Sequence, residues 1–347
     1  MKLSQFDFFL PDDLIAKRPM KERGDAKLMV VNRKTQKIQH KKFANILDFF
    51  GENDLLVFNN TKVFPAILKG KKEKTEADIE VFLLRELKGE DMLWDVLVTP
   101  ARKIRIGNKL YFTDELIAEV IDNTTSRGRT IKFIYDGDYK SFKKLLKKLG
   151  TLPLPPFLER PAEKIDKERY QNVFARNEGA VAVPTAGMHF SKTMLKRFEI
   201  LGARFAEITL HAGIGNFRAI EVEDLSKHKM DSEQIITDQE TADIINHAKQ
   251  NKNSICAVGT TVVKTLEVMM TSEDNVAPYE GWSNKFIFPP YDVKIADKLI
   301  TNFHLPFTPM LMTVSAFGGY RFMKKVYETA VDKKYKFGTY GDAMLII

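Results

Sequence analysis

Apolar residues along this chain keep two rhythms, and the change from one to the other divides it. Near the amino end a continuous apolar run at 28–31 predicts a buried strand; a helix is expected near 43–50 and a second strand at 55–59. Residues 63–150 then carry short strand-like runs at 79–87, 92–99, 109–112, 117–122 and 130–135, punctuated by Lys88-Gly89, Gly107-Asn108 and Arg127-Gly128. Short strands without a long helix between them predict a small barrel or sandwich. The stretch closes on a helix over 139–149, with Phe142, Leu145, Leu146 and Leu149 on one face and Lys140, Lys143, Lys144, Lys147 and Lys148 on the other. A proline-rich turn at 152–158 follows, which no helix or strand interior tolerates.

From about residue 160 strands and helices alternate. Ser191 is placed to cap a helix carrying Met194, Leu195, Phe198 and Leu201. A strand at 205–210 runs into the loop 211–216, and a helix covers 238–249. A strand at 255–258 passes through Gly259-Thr260-Thr261 into a helix over 262–270. A strand at 299–303 ends at His304, and helices follow around 310–317 and 320–333. Alternation of this kind predicts a mixed α/β domain.

Length and composition narrow the function classes. At 347 residues the chain is long for a single core, so two domains are expected. The sole cysteine, Cys256, excludes a disulfide framework and a Cys-ligated metal. No apolar run approaches the roughly 20 residues of a membrane span, and Asp7 and Pro11 break the apolar patch of the amino end, so a cytoplasmic protein is expected. Lys and Arg number 54 against 46 Asp and Glu, a surplus of eight that points only weakly to a polyanionic partner. Half of that surplus lies in 63–150, where 18 basic residues face 14 acidic ones. Six histidines are present, no two of them four apart, and no metal is expected. The nucleophile elbow GxSxG, the phosphate loop GxxxxGK[ST] and the dinucleotide fingerprint GxGxxG are all absent.

What remains is a set of loops rich in small and polar residues, each at the end of a predicted strand: 179–191, 209–218, 257–267 and 301–310. In α/β domains ligands collect at the carboxyl ends of strands, where backbone N–H groups and helix N-termini face a crevice. Thr260 and Thr261 at a helix start suit an anion such as a carboxylate. Tight turns and helix caps explain any one of these loops equally well.

The blocks Leu56-VFNNTKVFPA, Leu152-PLPPF, Tyr170-QNVF, Pro184-TAGMHF, Thr209-LHAGIGNF, His228-KMDSE, Ala257-VGTT, Thr301-NFHLP, Val314-SAFGG and Tyr340-GDAM resemble, in order, those of the S-adenosylmethionine:tRNA ribosyltransferase-isomerase family. The likeness runs from Phe8 to the last residues. It implies an α/β multidomain protein, a larger mixed α/β domain with a smaller inserted β-barrel domain, which fits the zones above as 1–62 with 151–347 and 63–150. It also implies a step of queuosine synthesis. The ribosyl part of S-adenosylmethionine moves onto 7-aminomethyl-7-deazaguanine at the tRNA wobble position, giving epoxyqueuosine with release of adenine and methionine. S-adenosylmethionine is then a co-substrate and no cofactor is expected; the protein is expected to act as a monomer. The chain departs from the family pattern at Lys27, Ile67 and Lys264, where arginine is usual. It also departs at Asn216 for threonine, Asp231 for histidine, Pro290 for glycine, and Phe307-Thr308-Pro309.

That chemistry needs a base to remove a proton from C5′ beside the sulfonium, an acid at the departing adenine and a clamp on the methionine carboxylate. His189, His211 and His304 are the candidates for proton transfer, and Glu233 and Asp342 are candidates for the base or for balancing the sulfonium charge. Asn59, Asn60, Thr61, Thr185, Gly213, Gly215, Thr260, Thr261 and Tyr340 are candidate substrate contacts, with Phe190 or Tyr340 placed to stack on adenine. Lys69, Lys71, Lys72, Lys74, Arg102, Lys103, Arg105, Lys143, Lys144, Lys147 and Lys148 are the candidate tRNA contacts. Two rivals stand beside this reading: a non-catalytic RNA-binding relative, and an enzyme using S-adenosylmethionine on a small molecule.

Overall fold

The computed structural model describes residues 1–88, 90–125 and 127–347; Gly89, of the turn expected at Lys88-Gly89, lies outside them. Its described residues cluster into two units, one of Met1–Lys62, Pro155–Arg160 and Glu168–Ile347, the other of Val63–Leu154 and Pro161–Lys167. Residues 151–154 and 161–167, expected with the large unit, group with the small one, where Thr151 and Ile67 exchange backbone hydrogen bonds of 2.9 and 3.1 Å.

Four parallel strands form the centre of a nine-stranded mixed sheet in the large unit: Arg204–Leu210, Leu55–Asn59, Ile255–Val258 and Lys298–Asn302. Tyr279–Ser283 and Glu233–Thr237 extend it antiparallel on one side. On the other side Ala343–Ile346 pairs antiparallel with the central group, then come Lys27–Asn32 and Lys37–Lys42. The pleat sends alternate side chains to opposite faces. Met29, Val31, Leu55 and Val57 meet the helices Gln239–Gln250, Thr260–Met269, Pro309–Gly318 and Tyr320–Asp332 on one face. Leu28, Val30, Leu56 and Phe58 meet Lys192–Ile200 and the turn Phe43–Phe49 on the other. The helix expected near 43–50 is a 3-10 turn with no side-chain cap. Ser191 does cap the next helix, accepting from the Met194 N–H at 3.1 Å.

The smaller unit holds a closed six-stranded barrel in the order Gly128–Ile134, Leu93–Thr99, Asp78–Lys88, Ile67–Lys72, Lys109–Tyr111, Ile117–Asn123. Ile67–Lys72 was not foreseen: its three lysines and Gly70 hide the alternation. Gly70 is required there, since a Cβ would strike the Tyr111 carbonyl of the neighbouring strand. The helix Tyr139–Leu149, capped by Asp138, lays Phe142 against Phe133 at 5.2 Å.

Candidate functional site

Strand direction gathers the chemistry at one edge of the large sheet. The four central strands end there, at Asn59, Leu210, Val258 and Asn302. The antiparallel neighbours begin there, at Glu233 and Ala343. Every candidate catalytic residue therefore falls on this edge or on a loop beside it.

Several of them brace the edge. Asn59 uses all four of its hydrogen-bonding positions on the protein: Nδ2 donates to the Leu210 carbonyl (3.0 Å) and Thr261 Oγ1 (3.2 Å), while Oδ1 accepts from the N–H groups of Thr61 and Leu210 (3.1 Å each). Nothing is left for a ligand. Asn60 donates to Glu207 (2.9 Å) and accepts from Thr209 (2.7 Å) and Asn177 (3.2 Å). Asp342, fully buried, accepts from the Lys27 N–H at 2.7 Å and the Lys336 N–H at 2.8 Å, one on each oxygen. Burial raises its pKa and those two amides oppose the rise. Phe190 is core, set edge-on to Phe43 and Phe58 at 5.2 Å each.

Glu233 anchors one end of the edge. Its Oε1 accepts from the Gly213 N–H (2.9 Å) and Asn216 Nδ2 (2.7 Å), and its Oε2 from Lys264 Nζ at 2.9 Å. Both side chains of the pair are buried. Two departures from the family pattern, Asn216 and Lys264, thus meet on one carboxylate. A cleft of about 330 Å³, counted out to solvent, is lined by this group with Thr260 and Thr261. Gly259, at φ +103°, turns the strand sharply into the helix, and no side chain caps the first turn. Gly215 packs on Asp231, itself exposed and 3.9 Å from Arg218.

The three histidines differ in setting. Burial pushes His304 down to about 3; its Nε2 lies 2.8 Å from Thr301 Oγ1. Burial pushes His189 down to about 4, with the guanidiniums of Arg23 and Arg169 adding to the effect and Asn302 opposing it. The His189 Nε2 and the Asn302 Oδ1 nevertheless have no hydrogen-bond partner among the described residues. His211 is half-buried, is lowered by desolvation, and sets Nδ1 2.8 Å from Thr61 Oγ1. Its ring lies flat against Gly179, where a Cβ would come within 2.7 Å of it.

Three cavities share walls along this edge. The Glu233–Lys264 cleft meets, at Met310, one lined by Thr185 and His304; that one meets, at Thr339, a third lined by His189, Tyr340, Arg23 and Arg169. They lie in a row, and this row of adjoining cavities is the trough. The basic candidates on the small unit sit mostly at its surface: Lys69, Lys71, Arg102, Lys103, Lys144, Lys147 and Lys148 are exposed, while Lys72 and Lys143 are half-buried. Lys71 pairs with Asp78 at 2.6 Å, and Lys143 with Glu86 at 3.2 Å over the Trp94 ring.

Residues 3–346 match the family model for queuosine biosynthesis proteins. Proteins called S-adenosylmethionine:tRNA ribosyltransferase-isomerase, from Phocaeicola vulgatus and Flavobacterium psychrophilum, are each 58% identical over 349 residues. All of this chain aligns, with 99% and 100% of theirs. The chain belongs to the S-adenosylmethionine:tRNA ribosyltransferase-isomerase family. A crystal structure titled S-adenosylmethionine tRNA ribosyltransferase, from Thermotoga maritima, is 32% identical, with a TM-score of 0.57 over 99% of this chain and 100% of that one. The mixed sheet and the barrel are the architecture expected of a ribosyltransferase-isomerase.

Sequence reasoning gave no role to Arg23 and Arg169, which line the third cavity of this family member. Both were in sight, Arg23 within the stretch from Phe8 over which the likeness runs and Arg169 one residue before the Tyr170 block, but charges in loops carry no periodicity to mark them. Arg129 was missed too. Its buried guanidinium donates to the carbonyls of Ala101 (2.7 Å), Ile104 (2.9 Å) and Gly128 (2.7 Å), pinning the loop that carries Arg102 and Lys103.

Proposed function

We infer that the protein transfers and isomerises the ribosyl group of S-adenosylmethionine onto 7-aminomethyl-7-deazaguanine at the wobble position of a tRNA, yielding epoxyqueuosine, adenine and methionine. The observation that supports this most is the row of adjoining cavities, ion-paired at one end and rich in guanidinium at the other, along the edge where the strands deliver their loops. The methionine carboxylate fits the uncapped helix start at Thr260 and Thr261, beside Lys264.

His211 is the proton acceptor in this reading. In the tautomer in which Thr61 donates to the Asn177 carbonyl (3.4 Å) and accepts from Nδ1–H, the Nε2 lone pair is the base. His189 and His304, held neutral by burial, are weaker bases and serve to shape the wall. Proton loss from C5′ opens the ribose and expels adenine. The RNA-borne amine adds to the vinyl sulfonium, and closure of the epoxide releases methionine. S-adenosylmethionine is the co-substrate, no further cofactor is invoked, and the exposed lysines of the small unit hold RNA backbone.

The test is to mix protein, S-adenosylmethionine and a tRNA carrying 7-aminomethyl-7-deazaguanine. Adenine together with a mass-shifted nucleoside is expected. RNA binding without adenine would mean a non-catalytic relative, and adenine without RNA a small-molecule enzyme.

A further inference from the structure

The far end of the trough holds two guanidiniums that hydrogen-bond to carbonyls and not to carboxylates, although Glu22 lines the same cavity and Glu168 acts on Arg23 from nearby. Arg23 donates to the carbonyls of Met188 and Glu168 at 3.0 Å each, and Arg169 uses Nη1 on the carbonyls of Met20 (2.8 Å) and Lys21 (2.9 Å). Neither forms an ion pair among the described residues. Nε and Nη2 of Arg169, the flat edge that grips an oxyanion through two parallel bonds, make no hydrogen bond to them either. Burial, and then the neighbouring Arg169, lower the pKa of Arg23, and Glu168 and Tyr340 oppose them. The same cavity, about 310 Å³ out to solvent, is walled by His189, 6% exposed, whose Nε2 makes no hydrogen bond to the described residues, although the equally unpartnered Asn302 side chain is near enough to raise its pKa. A neutral imidazole N–H can donate there to an oxyanion without bringing another charge.

We propose that this cavity, built by Arg23, Arg169 and His189, binds a phosphodiester of the RNA substrate beside the nucleotide being modified. The proposal rests on the functional reading above and adds to it a contact on the catalytic unit itself. A phosphate answers both features of the site, two guanidiniums without an ion pair and a buried imidazole nitrogen without a hydrogen bond among the described residues. In the functional reading the carboxylate of S-adenosylmethionine goes to the opposite end of the trough, beside Thr260 and Lys264.

The experiment titrates a synthetic anticodon stem–loop, carrying 7-aminomethyl-7-deazaguanine at the wobble position, against wild type, Arg169→Gln and Arg169→Lys at stepped KCl. Loss of one charge-assisted contact predicts binding about ten-fold weaker for Arg169→Gln. Its slope of log affinity against log salt becomes shallower by about 0.7, the single-strand value for one phosphate. Arg169→Lys keeps the slope but loses part of the affinity, since an ammonium has no fork. Affinity for S-adenosylmethionine is retained. Wild-type protein supplies a readout free of any folding defect: RNA, but not S-adenosylmethionine, shields Arg169 from modification by phenylglyoxal, read by peptide mass spectrometry. Wild-type affinity and slope in Arg169→Gln, or shielding by S-adenosylmethionine alone, would overturn the proposal and leave the functional reading standing. No RNA binding by the wild-type protein would overturn both.

Discussion

The two ends of the trough hold charge in opposite ways. At one end the Lys264 ammonium is matched to Glu233, and the carboxylate is further satisfied by Gly213 and Asn216, so its charges balance inside the protein. At the other end Arg23 and Arg169 face each other with only carbonyl oxygens as acceptors. A closed set of partners fixes a shape and penalises any change in one member. A set without an ion pair is free to receive an anion from outside, and its members can be altered at less cost to the fold.

That contrast predicts a graded series of stability changes. Lys264→Ala leaves Glu233 buried without its cation and should cost about 3–5 kcal/mol in urea denaturation. The paired change Lys264→Met with Glu233→Gln should recover most of this loss, because replacing both charges removes the need for pairing. A small effect of Lys264→Ala would erase the distinction between the two ends. Asn59→Ala, which deletes four hydrogen bonds, three of them buried, linking strand 55–59 to Thr61, Leu210 and Thr261, should cost about 3 kcal/mol by the same assay.

Acid should find the histidines next. Both His189 and His304 are held below their ordinary 6.5, at about 4 and about 3, so the unfolded chain takes up protons that the fold refuses. Stability is therefore whole above pH 6.5 and falls as pH drops from there toward 4, by about 1.4 kcal/mol per pH unit for each histidine. Urea midpoints at pH 6.5, 5.5 and 4.5 measure the slope, and His189→Gln should remove one histidine's share. Arg169→Gln, by contrast, should change stability by less than about 1 kcal/mol, since it takes a charge from a pair that repels. Smallest of all, Lys144→Glu with Lys148→Glu on the exposed helix face should leave stability within about 0.5 kcal/mol. The same change should flatten the salt dependence of RNA binding; an unchanged slope would remove the small unit from the RNA contact.

Much of this arrangement was legible before any coordinates, for identifiable reasons. Strand 55–59 is buried on both faces, so its apolar run stands out, and the helix 139–149 advertises itself through four apolar residues at helical spacing. Strand Lys37–Lys42 was invisible because it is an edge strand with nearly every side chain in solvent. Glu233–Thr237 and Ala343–Ile346 are too short for periodicity to register, yet they carry Glu233 to the edge and set Asp342 just before it. The site divides in the same way. The loops bearing the candidate residues were found because small and polar residues cluster at strand ends. Which of those residues are braces and which face a cavity depends on hydrogen bonds between positions some 150 apart, such as Asn59 to Leu210. Local spacing holds no trace of such pairs.

The central claim is that proton transfer at this edge, by His211, drives the loss of adenine. Adenine release measured in a single turnover with the modified stem–loop and S-adenosylmethionine tests it most directly, comparing wild type with His211→Gln across pH. The account predicts a rate about 10²–10⁴-fold lower in His211→Gln with an unchanged melting temperature. It also predicts a wild-type rate that declines on the acid side only below the ordinary histidine value of 6.5, because burial lowers His211. Adenine release by a well-folded His211→Gln protein at the wild-type rate would contradict it.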